Sequence, residues 1–108
     1  MINKHYSGQT AGTTGAISEL KVCVDLMAKG YHIFRSESPC CPCDLVALKN
    51  GITLTVEVRT IARNPSGTIP QSAYRVSEQG VVNCFAFVFK DNGEDIVYHS
   101  SVGVAIDM

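Results

Sequence analysis

Apolar and polar positions in this chain follow two different periods. Leu20, Cys23, Val24, Leu26 and Met27 recur at helical spacing, while two later stretches alternate with the two-residue period of strands. Thr13 or Thr14 is placed to cap a helix that runs to about residue 29, with Gly30 as its stop. Residues 31–36 read as a short strand, and Pro39 and Pro42 keep 38–42 as loop. The runs 43–49 and 52–60 are strands joined by Asn50-Gly51, the pair that a type I′ hairpin turn favours. A second hairpin, 82–90 and 95–100, closes around Asn92-Gly93, and its period puts Phe85, Phe87, Phe89, Ile96 and Tyr98 on one core-directed face. Between the hairpins, residues 61–80 form a long irregular connection that ends in a short helix over 71–79, stopped by Gly80. A loop of that length in a small domain is often functional. The order predicts an α/β (α+β) domain: a central mixed sheet of about five strands with an N-terminal helix and a second short helix. Residues 1–12 read as a flexible arm and 13–108 as a single domain.

Composition narrows the class. The chain has 108 residues, 45% hydrophobic and 18% charged, which suits one small core and excludes a disordered, collagenous or coiled-coil chain. No apolar run approaches the roughly 18 residues of a membrane span. The polar, glycine-rich first residues lack the order of a signal peptide, so the expected location is the cytoplasm. A net charge of −1 argues against a nucleic-acid coat protein or basic tail but leaves room for local contact with nucleic acid. Neither a Ser-His-Asp order, nor a glycine-rich phosphate loop, nor a dinucleotide fingerprint is present. His5, His32 and His99 stand without partners in the pattern and read as structural.

Three acids are out of place in this pattern. If Asn50-Gly51 is the whole turn, Lys49 pairs with Ile52, and the register runs down to Leu45 with Val56. The next pair is Asp44 with Glu57, two carboxylates with Cβ atoms about 4.5–5.5 Å apart. Like charges so placed destabilise a sheet, and a divalent cation with oxygen ligands is the natural compensation. Arg59 shares the face of Glu57. On the helix, Ser18, Lys21, Asp25 and Lys29 cluster within about 80° and mark the expected solvent face. Glu19 falls instead on the apolar side with Leu20, Val24 and Met27, and it completes no capping box. A carboxylate facing a core needs a cation or a basic partner. One shared metal site accounts for Glu19, Asp44 and Glu57 together.

Gly15-Ala16-Ile17-Ser18-Glu19-Leu20 on the helix, Gly30-Tyr31-His32-Ile33 leading into a strand, Cys43-Asp44-Leu45-Val46-Ala47, and Val56-Glu57-Val58-Arg59-Thr60 stand in one order. In that order the chain resembles the PD-(D/E)XK nuclease superfamily, in its small resolvase-like form, over about residues 13–100. The resemblance implies a restriction-endonuclease-like core, Mg²⁺ or Mn²⁺ as cofactor, and hydrolysis of DNA phosphodiester bonds, on branched or nicked DNA. It implies a catalytic set of Glu19, Asp44, Glu57 and Arg59. The metal ligands would be Asp44, Glu57, the carbonyl of Val58, and Glu19 directly or through water. It further implies a homodimer or larger assembly. Two departures stand out: Arg59 occupies the position of the family's lysine, and Pro42 is separated from Asp44 by Cys43. Arginine supplies charge but stays protonated, so it cannot act as a base.

Other readings remain open at this level. The same fold without cleavage would be a nucleic-acid or protein binding module. Cys40 and Cys43 have the spacing of a zinc knuckle or redox pair, against free thiols in a tight loop. Arg63, Asn64, Gln71, Tyr74 and Arg75 follow the acidic strand and are candidates for DNA binding, against a plain solvated loop.

Overall fold

A computed structural model describes residues 10–38, 40–75, 81–90 and 95–102. Thr10 opens the first helix, α1 (Ala11–Ala28): its side chain accepts from the Thr13 N–H, satisfying one of the unpaired donors of the first turn. The helix therefore begins earlier than Thr13 or Thr14, and residues 11 and 12 of the expected arm are helical. Residues 1–9 lie outside the described residues. At the other end the Lys49 ammonium, reaching across from the sheet, donates to the Lys29 carbonyl at 2.7 Å and supplies a C-terminal cation.

Five strands follow: β1 (His32–Arg35), β2 (Leu45–Lys49), β3 (Ile52–Ile61), β4 (Cys84–Phe89) and β5 (Ile96–Ser100). They form one sheet in the order β1-β2-β3-β4-β5. All neighbours are antiparallel except β3 and β4, which run parallel. The sheet is mixed, as expected. The β2–β3 register runs from Lys49↔Ile52 to Leu45↔Val56, the pairing that the turn predicted. Asn50 and Gly51 both take positive φ, 51° and 78°, as a type I′ turn requires. The parallel step needs a long crossover, which is why residues 62–83 connect β3 to β4. Among its described residues, Gln71–Tyr74 alone is helical, as a 3₁₀ turn. The longer helix expected over 71–79 is cut off by Arg75, whose backbone is extended; residues 76–80 lie outside the described ones.

Two apolar layers hold the sheet. On one face Val22, Cys23 and Leu26 of α1 pack on Leu45, Ala47, Leu54, Val56, Cys84, Ala86 and Val88. On the other, Phe87 and Phe89 pack with Ala73, Ile61, Ile69, Tyr74 and Phe85. Fully burying a side chain such as Leu26 contributes roughly 1.5–3 kcal/mol.

Two face assignments differ from expectation. Ile96 pairs with Val88 and Tyr98 with Ala86, so both lie on the α1 face, opposite Phe85, Phe87 and Phe89. A two-residue turn at Asn92-Gly93, which lies outside the described residues, would give a register one residue away, and a one-residue shift reverses every side chain. Because β4 is covered on both sides, its apolar run carries no face information.

The second difference is the rotation of α1. Ser18, expected in solvent, is 3% exposed and hydrogen-bonded to Thr60 of β3 at 2.5 Å. Asp25 is half-buried between Lys29 and the Tyr98 hydroxyl, each 2.5 Å away. Leu20, Val24 and Met27, expected inside, are 50%, 64% and 53% exposed. Charge marked the wrong side because the charged groups are paired against the sheet.

Candidate active site

The end of β2 creates the site. β3 continues past Val56 while β2 begins only at Leu45, so the Val58 N–H has no strand carbonyl beside it. The Asp44 carboxylate fills that place and accepts from Val58 N at 2.8 Å. The Asp44 N–H reaches the Val56 carbonyl at 3.0 Å, one residue off the register in which Val56 pairs with Leu45. The ladder therefore ends at Leu45↔Val56, one step short of the Asp44–Glu57 pair expected from the turn. From there the Asp44 carboxylate acts electrostatically on the Glu57 carboxyl.

That geometry has an electrostatic consequence. Burial, then the adjacent Asp44 carboxyl, push the Glu57 carboxyl up to about 7, against the opposing pull of Arg59. Near neutral pH the pair therefore holds a proton where an isolated glutamate would not. Such a pair suits a hard divalent cation, which takes oxygen ligands and keeps several waters.

Glu19 stands further off. It is half-buried on α1, its carboxyl raised by burial and by Asp44 and lowered by Arg35 of β1. It is within the electrostatic reach of Asp44 but does not figure among the groups that shift Glu57. Among the described residues, no three His, Cys, Asp or Glu side chains converge closely enough to hold a metal by themselves. Asp44 thus acts electrostatically on both Glu57 and Glu19, while Glu19 and Glu57 do not figure in each other's shifts. Arg35 is the partner that sequence reasoning missed; its place opposite Leu45, one residue from Asp44, was the available signal.

Arg59 is tied down. Its Nη2 donates to Glu57 Oε2 at 3.2 Å and to the carbonyl of Arg75, and its guanidinium lies 5.9 Å from the Phe85 ring. Its Nε is buried without a hydrogen-bond partner. Arg59 thereby clips the end of the 3₁₀ segment to β3.

The remaining candidates separate by role. Tyr74 sits edge-on to Phe85, Phe87 and His99, with centroids 5.1–5.7 Å apart, and anchors the 3₁₀ turn to the sheet. Asn64 closes its own loop: its amide donates to Thr68 Oγ1 at 3.0 Å and its N–H to the Thr68 carbonyl at 2.8 Å. Gln71 and Arg75 are exposed. Arg63 lies flat against Phe89, with its guanidinium carbon 3.5 Å from the ring centroid.

The cysteines lie apart from this chemistry. Cys40, Cys41 and Cys43 are free thiols, as are buried Cys23 and Cys84. Cys43 borders the acid pair; burial first, and then Asp44, Glu57 and Cys41, push its thiol up, away from the reactive thiolate. The zinc-knuckle expectation finds no assembled ligand set among the described residues.

Among the described residues, no helix is long and apolar enough to cross a membrane. No protein-family model matches the chain, and no curated protein matches it. A solved structure does: that of a bacterial homing endonuclease, I-Ssp6803I, with a TM-score of 0.64 and 17% identity, covering 93% of this chain and 74% of that one. The five-stranded mixed sheet with its N-terminal helix is therefore a fold that this chain shares with a homing endonuclease.

Proposed function

We propose that this chain is a divalent-metal-dependent endonuclease domain of the PD-(D/E)XK type that hydrolyses DNA phosphodiester bonds, on branched or nicked DNA. The observation that carries the reading is the Asp44 carboxylate held at the end of β2 by the Val58 N–H, next to a partly buried Glu57 whose carboxyl burial and Asp44 push up to about 7. The fold shared with a homing endonuclease supports it.

In this reading Asp44 and Glu57 hold Mg²⁺ or Mn²⁺, with the carbonyl of Val58 and, through water, Glu19 as further ligands. The ion supplies Lewis-acid activation of the phosphate and a hydroxide nucleophile. Both carboxylates would bind the cation in their ionised form, the Glu57 proton passing to solvent. Arg59 stands beside Glu57 with a fixed positive charge and stabilises charge developing on the phosphate oxygens; it is not the base. Arg63, Gln71 and Arg75 face the DNA backbone, while Asn64 and Tyr74 shape the segment that carries them. A homodimer supplies the remaining binding surface, and the exposed Leu20, Val24 and Met27 of α1 support such an assembly. The five free thiols suit a reducing cytoplasm.

A second reading, a relative that binds without cutting, is favoured by one observation. Arg59 is bound to Glu57 and to the Arg75 carbonyl rather than free to meet a water. One experiment separates the two. Purified protein is incubated with linear, nicked and branched duplexes in Mg²⁺ or Mn²⁺. The nuclease reading predicts metal-dependent cleavage that Asp44→Asn and Glu57→Gln abolish and Arg59→Lys increases. Binding with no cleavage by wild type or Arg59→Lys on any substrate establishes the second reading instead.

A further inference from the structure

We propose that Arg63, laid on the ring of Phe89, is a preset phosphate clamp for the DNA strand that enters the Asp44–Glu57 site. This rests on the nuclease reading and specifies how that site holds its substrate.

Three observations carry it. First, Arg63 follows β3 at even spacing from Glu57, so the strand that presents the acid pair also leads to this cation. Second, the guanidinium is stacked 3.5 Å from the centroid of Phe89, a ring that is itself only 1% exposed. Stacking uses the flat face of the group and leaves its N–H edges outward. Third, among the described residues those edges make no ion pair or hydrogen bond; the salt bridges there are Lys29–Asp25 and Arg59–Glu57. An immobilised guanidinium with its donors unused is suited to a phosphate, which it can engage through two parallel hydrogen bonds. Much of the side-chain entropy that binding normally costs has already been lost on folding. Arg75 lacks such a platform, and the Nη2 of Arg59 is engaged within the protein by Glu57 and the Arg75 carbonyl.

The placement also gives a distance. Six residues of strand span at most about 20 Å at about 3.3 Å each. At 3.4 Å of rise per nucleotide, Arg63 meets a phosphate within about six nucleotides of the one held at the acid pair.

The competing explanation is that Arg63 only covers Phe89 with its apolar stem. Affinity for a fluorescein-labelled duplex, measured by anisotropy in Ca²⁺ over a salt series, distinguishes the two. Arg63→Met keeps a long apolar cover on the ring, and Arg63→Lys keeps the charge but loses the stacked fork. A clamp predicts that Arg63→Met binds about tenfold or more weakly with its fold and melting temperature retained. Its log-log salt slope should be smaller by about 0.9, and Arg63→Lys should fall between. Replacing single phosphates by neutral methylphosphonates should reveal one position, within six nucleotides of the cleavage point, that weakens wild type but not Arg63→Met. If wild type binds and both variants keep its affinity and slope, the clamp is wrong and the nuclease reading stands. A melting loss with an unchanged slope likewise makes Arg63 a cover alone. If wild type binds none of the linear, nicked or branched duplexes above non-specific levels, the nuclease reading itself fails, and the clamp with it.

Discussion

Replacing Glu57 by glutamine removes one of two facing carboxylates while keeping its size and hydrogen-bonding capacity. The metal-free wild type pays for that pair as pH rises. Glu57 moves from an ordinary 4.5 to about 7 in the folded chain. Between those values the folded state holds a proton that the unfolded state has released, so stability falls with rising pH and the contribution is lost above about 7. The full shift corresponds to about 3 kcal/mol. The Glu57 side chain is 23% exposed, so solvent screening brings a realistic figure nearer 1.5–2 kcal/mol. Glutamine carries no charge at any of these pH values. Glu57→Gln should therefore match wild type near pH 5 and exceed it at pH 8 by about 1.5 kcal/mol, or roughly 6–12 °C in melting temperature. The fall due to Glu19, also raised by burial and by Asp44, remains in both proteins and cancels in the comparison. The assay is urea and thermal unfolding from pH 5 to 8 in EDTA. A Glu57→Gln protein that is less stable than wild type at pH 8, or a wild type whose stability rises steadily across the window, refutes the like-charge account. Adding Mg²⁺ should reverse the order, since a bound ion stabilises only the protein with both carboxylates.

Further consequences concern the fold that carries the site. Asn83 accepts from Thr55 N at 2.8 Å and donates to the Thr53 carbonyl at 3.1 Å, so Asn83→Ala should cost about 1–3 kcal/mol in urea unfolding. Leu26→Ala, at a fully buried position, should cost about 2–5 kcal/mol by the same measurement. Burial raises the Asp25 carboxyl, but hydrogen bonds from Lys29 and Tyr98 outweigh it and hold it below its usual value. Its contribution is present above pH 4 and lost as pH falls through its lowered pKa, so Asp25→Asn should lower the melting temperature at pH 7 and narrow the gap to wild type at pH 3. Val24→Glu should leave the melting temperature nearly unchanged, because Val24 is 64% exposed, yet shift sedimentation toward monomer if α1 is the dimer face.

The β2–β3 register was legible because a two-residue Asn-Gly turn fixes it by counting, as far as Leu45↔Val56. Helix and strand order, and the mixed five-stranded sheet, were legible from period alone. The rotation of α1 was not. Ser18 and Asp25 are polar yet face the sheet, and their partners Thr60 and Tyr98 lie 42 and 73 residues away, beyond any local pattern. Nor was the face of β5 legible, because both sides of β4 are buried and either register conceals apolar residues. The Arg63–Phe89 stack joins two strands across a long crossover and leaves no trace in local spacing. Glu19 shows a limit of a different kind: its half-burial was inferable, but α1 covers the face of Val56 and Val58, whereas Glu57 pairs with Phe85 on the other face.

The most direct test of the central claim is the anomalous diffraction of a crystal soaked in Mn²⁺. A single ion between the carboxylates of Asp44 and Glu57, about 2.1 Å from an oxygen of each and lost on Glu57→Gln, is the predicted result. Manganese bound elsewhere on the chain, with none between Asp44 and Glu57, would contradict it.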